Sequence, residues 1–238
     1  MSPAAKGLLS VVGVAGVSAG VLLLVLSGGG GGGTRAPADD GPKVVVDNGQ
    51  TPPTDPLRPD YRVELLKFLP FSQTDQNGKT VTNDAFTGNV TIVSFFFTRC
   101  TFICPALTGT LIEMMDRLKD TPARFMSFSV DPAHDTPAVL KAYAQNHNAD
   151  DGRWTLLSGP KEETWGILRT GLTWGIEERP EERIILPGGG TISNIRHPAW
   201  FVLVGPDGRV LGLYQSSEED QLQALESRVR AVAARMKK

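Results

Sequence analysis

Cysteine is scarce in this chain of 238 residues: there are two, Cys100 and Cys104, four positions apart. A disulfide-stapled secreted scaffold would carry more, spread along the sequence, so that class is excluded. Histidine is also rare, with three, at His134, His147 and His197. No charge of one sign dominates. The formal net charge of -2 argues against nucleic acid as a partner, and no long acidic run suggests a solvating tail. No internal repeat is visible. The length suits one well-packed domain plus an appendage rather than two large domains.

One long stretch lacks charge altogether. Gly7 to Ser27 contains no ionisable side chain and centres on Val21-Leu22-Leu23-Leu24-Val25-Leu26. As a helix it would extend about 31 Å, which matches a hydrocarbon core of about 30 Å. Lys6 precedes it, so the positive flank is expected to stay cytoplasmic and the rest of the chain to lie outside. A cleaved signal peptide is the competing reading, but its apolar region is shorter, roughly 7–15 residues. The N-terminus is not Arg-rich, which speaks against a mitochondrial transit peptide. The expected setting is a bacterial cytoplasmic membrane, with a single span and the globular part on the periplasmic side. Residues 28–60 begin with six glycines and continue with Thr51-Pro52-Pro53, Pro56 and Pro59. Such a composition buries too little apolar surface to order itself and reads as a linker. The expected organisation is an anchor over 1–27, a linker over 28–60 and a globular domain over 61–238.

Within that domain, Asp75-Gln76-Asn77-Gly78-Lys79 predicts a hairpin turn, because Asn-Gly tolerates positive φ. Val90 to Phe97 is a nearly continuous apolar run, as a strand buried on both faces requires. Leu107, Leu111, Met114, Met115 and Leu118 then fall at helical spacing, and Arg124 to Val130 reads as the next strand. Thr136 and Pro137 predict the start of a helix carrying Val139, Leu140, Tyr143 and Ala144. A shorter helix is expected over 162–170. Pro206-Asp207-Gly208 marks a turn between strands at Ala199–Val204 and Arg209–Tyr214, and Leu222, Leu225, Val229 and Val232 mark a last helix. The order is that of an α/β domain with a mixed sheet flanked by helices. Its first strand-to-helix connection carries both cysteines, which is the thioredoxin-like arrangement.

At that connection the sequence reads Phe96-Phe97-Thr98-Arg99-Cys100-Thr101-Phe102-Ile103-Cys104-Pro105. The amides and dipole at a helix N-terminus favour a thiolate. Thiolates are both the nucleophiles of disulfide exchange and soft ligands for Cu(I). Position alone therefore separates neither chemistry. The usual redox motif of this fold has two intervening residues; here there are three, and an i,i+4 pair on a helical turn brings both sulfurs to one side. A site that also holds Cu(II) needs a nitrogen ligand as well. His147 follows Tyr143 by four residues and is assigned to packing, and His134 to a solvated loop. His197 lies just before a strand, after the Gly-rich loop Pro187–Thr191, and can reach a metal by a swing of that loop. Asp131 ends a strand parallel to the first and is expected on the same sheet edge as the cysteines, able to orient a ligand or to cap its own loop. Asp135 is expected to be structural. A peroxidase of the peroxiredoxin type would use Thr98 and Arg99 beside a nucleophilic cysteine.

Three stretches together carry a resemblance: Val93-Ser94-Phe95-Phe96-Phe97-Thr98-Arg99-Cys100 with Cys104-Pro105; Ser129-Val130-Asp131-Pro132 with Asp135-Thr136-Pro137; and His197 ahead of Phe201-Val202-Leu203-Val204 and Pro206-Asp207-Gly208. They resemble the Sco/SenC family of copper-binding proteins of cytochrome oxidase assembly over roughly residues 61–235. The resemblance implies a thioredoxin-like fold on a membrane anchor, copper held by Cys100, Cys104 and His197, and delivery to the CuA centre of oxidase subunit II. Another extracytoplasmic copper acceptor stays open beside subunit II, and a thiol–disulfide oxidoreductase acting on the cysteines of that or another extracytoplasmic partner is the alternative. The chain departs from the family in having Arg196 and Pro198 around the histidine, where Asp and Ser are common. A positive neighbour electrostatically disfavours a bound cation.

Overall fold

The computed structural model describes residues 54–147 and 152–237. The expected membrane anchor and most of the expected linker lie outside the described residues. Among the described residues no helix is long and apolar enough to cross a membrane.

The central strand β3 (Thr91–Phe96) is buried along its whole length. Strands β1 (Ser72–Asp75), β2 (Thr80–Thr82), β4 (Arg124–Ser129), β5 (Trp154–Ser158), β8 (Trp200–Val204) and β9 (Val210–Gln215) complete a seven-stranded sheet of order β2-β1-β5-β4-β3-β8-β9. β3, β4 and β5 run parallel, and the strands on both flanks run antiparallel, so the sheet is mixed as expected. Alternation along β3 divides its side chains between two faces. Phe95 joins Phe128, Phe68 and Trp174 on one face. Phe96 meets Tyr143 on the other. Ser94 and Ser127 sit opposite each other in register and bond at 2.7 Å, and the Trp154 indole donates to Ser127 Oγ at 2.9 Å. The Ser94 and Ser127 hydroxyls are thereby satisfied, as burial demands.

Helix α1 (Cys104–Arg117) has Pro105 in its first turn and buries Cys104, Leu107, Leu111, Met114 and Met115. Helix α2 (Pro137–Asn146) starts where Thr136 accepts a bond from the Val139 amide, the cap read from sequence. Thr108 of α1 and Tyr143 of α2 bond at 2.8 Å. Helix α3 (Lys161–Gly166) continues into a π-turn over Ile167–Gly171, and helix α4 (Glu219–Met236) closes the fold. Gly78, at φ 80°, lets the β1–β2 hairpin reverse, with Asp75 Oδ1 accepting from the Asn77 and Lys79 amides at 2.8 Å.

Three features differ from the sequence expectation. β5 was not foreseen; it is a five-residue run that pairs between β4 and β1 and extends the parallel set. The Gly-rich loop is the tip of a separate hairpin of β6 (Glu177–Ile185) and β7 (Thr191–Arg196). Its register shifts between Arg179 and Arg183, and Ile184 and Ile195 anchor it in the core. The third is the start of the packed region, which precedes Tyr61. The buried Arg228 side chain of α4 donates to Pro56 O at 2.8 Å, to Arg58 O at 2.5 Å and to the Asp60 carboxylate at 3.1 Å.

Three acceptors converge on that one guanidinium, and each charge-assisted bond contributes roughly 1.5–3 kcal/mol. Arg228→Met is expected to lower stability by about 2–4 kcal/mol, because only part of that sum survives once water replaces the lost donors. Urea unfolding reads the loss, and limited proteolysis should cut faster within residues 54–60 of the variant.

Candidate metal centre

β3 delivers the chain to the site. Past its buried end the backbone turns, with the Cys100 amide donating to Phe97 O at 3.2 Å, and α1 begins at Cys104. The turn folds Cys100 back over the helix start, and the Cys104 amide donates to Cys100 Sγ at 3.4 Å. Both cysteines are buried, and both are free thiols.

Their environments push the two thiols apart. A hydrogen bond from the Cys104 side chain, supported by the amides of Cys104, Phe102 and Ile103, overcomes burial and lowers Cys100 from 9.0 to about 6. Burial first, and then the bond to Cys100 and its negative charge, raise Cys104 well above the ordinary thiol range. Near neutral pH the metal-free pair therefore holds one proton, with a thiolate at Cys100 and a thiol at Cys104.

His197 follows the last residue of β7 and is 8% exposed. Its Nδ1 lies 3.2 Å from Pro198 O. A carbonyl at that distance calls for a donor at Nδ1, and in a neutral imidazole this leaves Nε2 to offer its electron pair. That atom stands 3.8 Å from Cys104 Sγ, although 93 positions separate the residues. The Phe97 ring packs edge-on against the imidazole, with centroids 6.2 Å apart. Metal bonds of about 2.3 Å to sulfur and about 2.0 Å to nitrogen, set at 120°, put those atoms roughly 3.7 Å apart. The sulfur–nitrogen separation thus suits one ion held between them without rearrangement. The long loop expected before His197 is instead a hairpin, so the imidazole is placed already and does not have to swing in.

Asp131 lies at the expected sheet edge, but its carboxylate meets Arg99 rather than a cysteine or the imidazole. Arg99 donates to Asp131 Oδ2 through Nε at 3.1 Å and Nη2 at 2.6 Å. It therefore fixes the residue just before Cys100. Sequence reasoning did not see the larger role of Asp135. This wholly buried carboxylate accepts from the Thr98 amide at 3.1 Å, Thr98 Oγ1 at 2.5 Å and Ser129 Oγ at 2.6 Å, and faces His134 Nδ1 at 3.0 Å. No local signal marks it, because its donors come from the ends of two strands. Asp131, His134 and Asp135 have ligand-type atoms within 4.8 Å of one another. The bonds to Arg99, Thr98 and Ser129 account for that proximity as an internal lock. His147 packs on Tyr143, with ring centroids 4.6 Å apart, in keeping with its expected role.

Known proteins resemble this chain in sequence and in fold. The SCO1/SenC family model matches residues 63–233. The SCO1 protein homolog of Bacillus subtilis is 33% identical over 166 residues, covering 69% of this chain and 78% of that protein. Among solved structures, BsSco, a member of the Sco family of cytochrome c oxidase assembly proteins in which a disulfide switch was identified, matches with TM-score 0.59 and 30% identity over 71% of this chain and 94% of that one. Copper-bound ScoI of Bradyrhizobium japonicum matches with TM-score 0.51 and 26% identity over 68% and 99%. The chain belongs to the SCO1/SenC family.

Proposed function

We propose that this protein is a copper metallochaperone of cytochrome c oxidase assembly, taking one copper ion on Cys100, Cys104 and His197 and passing it to the CuA centre of oxidase subunit II. The observation that carries the reading is the 3.8 Å approach of Cys104 Sγ to His197 Nε2 beside a second sulfur hydrogen-bonded into the same turn. Two thiolates with an imidazole make a soft donor set suited to Cu(I), and the imidazole also suits Cu(II). The copper-bound relative supports the cargo, and family membership supports the assembly role. In the resting pair Cys100 is already ionised, so uptake displaces the proton held by Cys104. Release then follows stepwise exchange of these ligands for the soft ligands of the acceptor. The uncharged stretch Gly7–Ser27 and the Gly/Pro-rich segment after it support a single-pass anchor in the cytoplasmic membrane, with this domain tethered on the periplasmic side.

The thiolate–thiol pair favours a second role on the same partner, and the disulfide switch identified in BsSco is in keeping with it. The Cys100 thiolate attacks a partner disulfide and releases one partner thiolate. Cys104, on losing its proton, attacks Cys100 Sγ of the mixed disulfide and releases the second. The partner gains two thiols, and this chain is left with a Cys100–Cys104 disulfide.

Copper titration of the protein tests the primary reading. One equivalent is expected to bind, and Cys100→Ala, Cys104→Ala and His197→Ala should each weaken binding by more than the roughly 10–100-fold that follows loss of an outer-shell partner. Tight binding that survives all three substitutions would remove the site. His197→Ala also separates the two roles, since it should abolish copper delivery yet leave disulfide exchange intact. Thiolate absorbance of the metal-free protein gives a further check. Because the Cys100 thiol is lowered, its thiolate is present above pH about 6 and is lost as pH falls through that value. A midpoint at the ordinary thiol value of about 8.5 would contradict the shared-proton arrangement.

A further inference from the structure

The three donor atoms belong to residues that are nearly inaccessible: Cys100, Cys104 and His197 are 7%, 1% and 8% exposed. The side chains between the two cysteines are the reverse. Phe102 is 65% exposed and Ile103 47%, and they are two of the five large hydrophobic side chains exposed among the described residues. The stretch of chain that carries them is poor in charge. Between Arg99 and Glu113 there is no Asp, Glu, Lys, Arg or His, and the two cysteines there are buried, while Thr101, Pro105, Ala106 and Gly109 of that stretch are also exposed. The arginines that precede Cys100 and His197 stand at its borders with acidic partners, Arg99 with Asp131 at 2.6 Å and Arg196 with Glu182 at 3.7 Å. An uncharged centre that includes an aromatic, bordered by paired charges, is the composition of a protein interface rather than of ordinary surface.

The geometry points to Phe102, Ile103 and the uncharged face running to Gly109 as the surface on which the copper acceptor docks, with the two apolar side chains inserting among uncharged residues around the acceptor's own metal ligands. The inference rests on the metallochaperone reading and specifies its partner contact. Ligand exchange requires an acceptor atom to approach within a bond length of an ion held by buried donors, and the exposed Thr101–Ile103 segment joins two of those donors, so an acceptor that reaches them meets this segment. An acceptor with a charged rim at this point would have to desolvate those charges against Phe102 and Ile103 without compensation. Exposed apolar side chains at the centre of such a contact are where binding energy concentrates. Polar contacts at the margins would fix orientation.

The test compares the full chain with a Phe102→Ser/Ile103→Ser variant, using the soluble CuA domain of oxidase subunit II as acceptor. The substituted side chains are exposed, so folding should persist; copper titration and thermal unfolding check this directly. The variant is expected to transfer copper, and to associate with the acceptor when both are copper-free, at least ten-fold more weakly than wild type. Raising salt should change the wild-type association less than two-fold, because the contact is uncharged. Association of the copper-free variant at the wild-type strength would overturn the docking surface. So would a preference of the wild-type protein for phosphatidylcholine vesicles over the CuA domain, abolished in the variant, since the face would then be a membrane contact. A wild-type protein that binds copper yet releases none to the CuA domain overturns the delivery reading instead. Docking is then judged by the copper-free association alone, where the ten-fold loss must still be seen.

Discussion

A carboxylate with no access to solvent sits where two parallel strands end. Asp135 takes the Thr98 amide and hydroxyl from the loop after β3, and the Ser129 hydroxyl from the last position of β4. A carboxyl group buried in such a place costs free energy unless hydrogen-bond partners surround it. Here the donors are the very groups that would otherwise leave the two loops to drift. Thr98 lies two residues before Cys100, so the placement of the first sulfur follows from the satisfaction of a buried carboxyl group. Arg99 and Asp131 add a second tie between the same two loops, this one partly buried.

On this base the site is assembled from parts with different constraints. β3 is rigid because it is buried and hydrogen-bonded on both sides, to β4 and β8. The turn after it presents amides to Cys100 Sγ, and α1 begins at the second sulfur. His197 arrives from a hairpin that pairs only with itself among the described strands and is anchored by Ile184 and Ile195. Strand β8 follows the histidine within three residues and returns the chain to the edge of β3. The third donor is therefore held on both sides, by the hairpin before it and by the sheet after it. This explains how a residue 93 positions from Cys104 meets it at 3.8 Å.

What the sequence disclosed follows the range of the interactions involved. β3, α1, the Thr136 cap and the two glycine turns depend on neighbours within a few residues, and their patterns were legible. The cysteine pair was legible because so little else in the chain competes for the role. β6 and β7 were not, since their largely exposed, charged residues carry almost no apolar alternation and only Ile184 and Ile195 are buried in the core. β5 is too short an apolar run to be told from the start of a helix. His197 could be nominated as one of three histidines, and the family resemblance singled it out; its approach to Cys104 is a product of the fold. Asp135 looked like a residue at the start of a helix because its three hydroxyl and amide donors come from other loops. Arg228 looked like one more charge on an amphipathic helix, although it holds residues 56–60 in place.

The two proposed chemistries share atoms, and that sharing restricts when each can act. Copper needs both sulfurs as thiolates. A Cys100–Cys104 disulfide has no thiolate to offer, so the oxidised chain cannot carry copper at this site. A chain loaded with copper has no free thiolate with which to attack a partner's disulfide. The roles therefore exclude each other in one molecule at one time and must alternate. Reduction of the partner comes first, because an acceptor with oxidised cysteines has no soft ligands to receive the ion. The donor is then left oxidised and must itself be reduced before it can load copper. The single proton held between Cys100 and Cys104 keeps the reduced pair at the branch point: the thiolate is ready for either reaction, and loss of the remaining proton accompanies both.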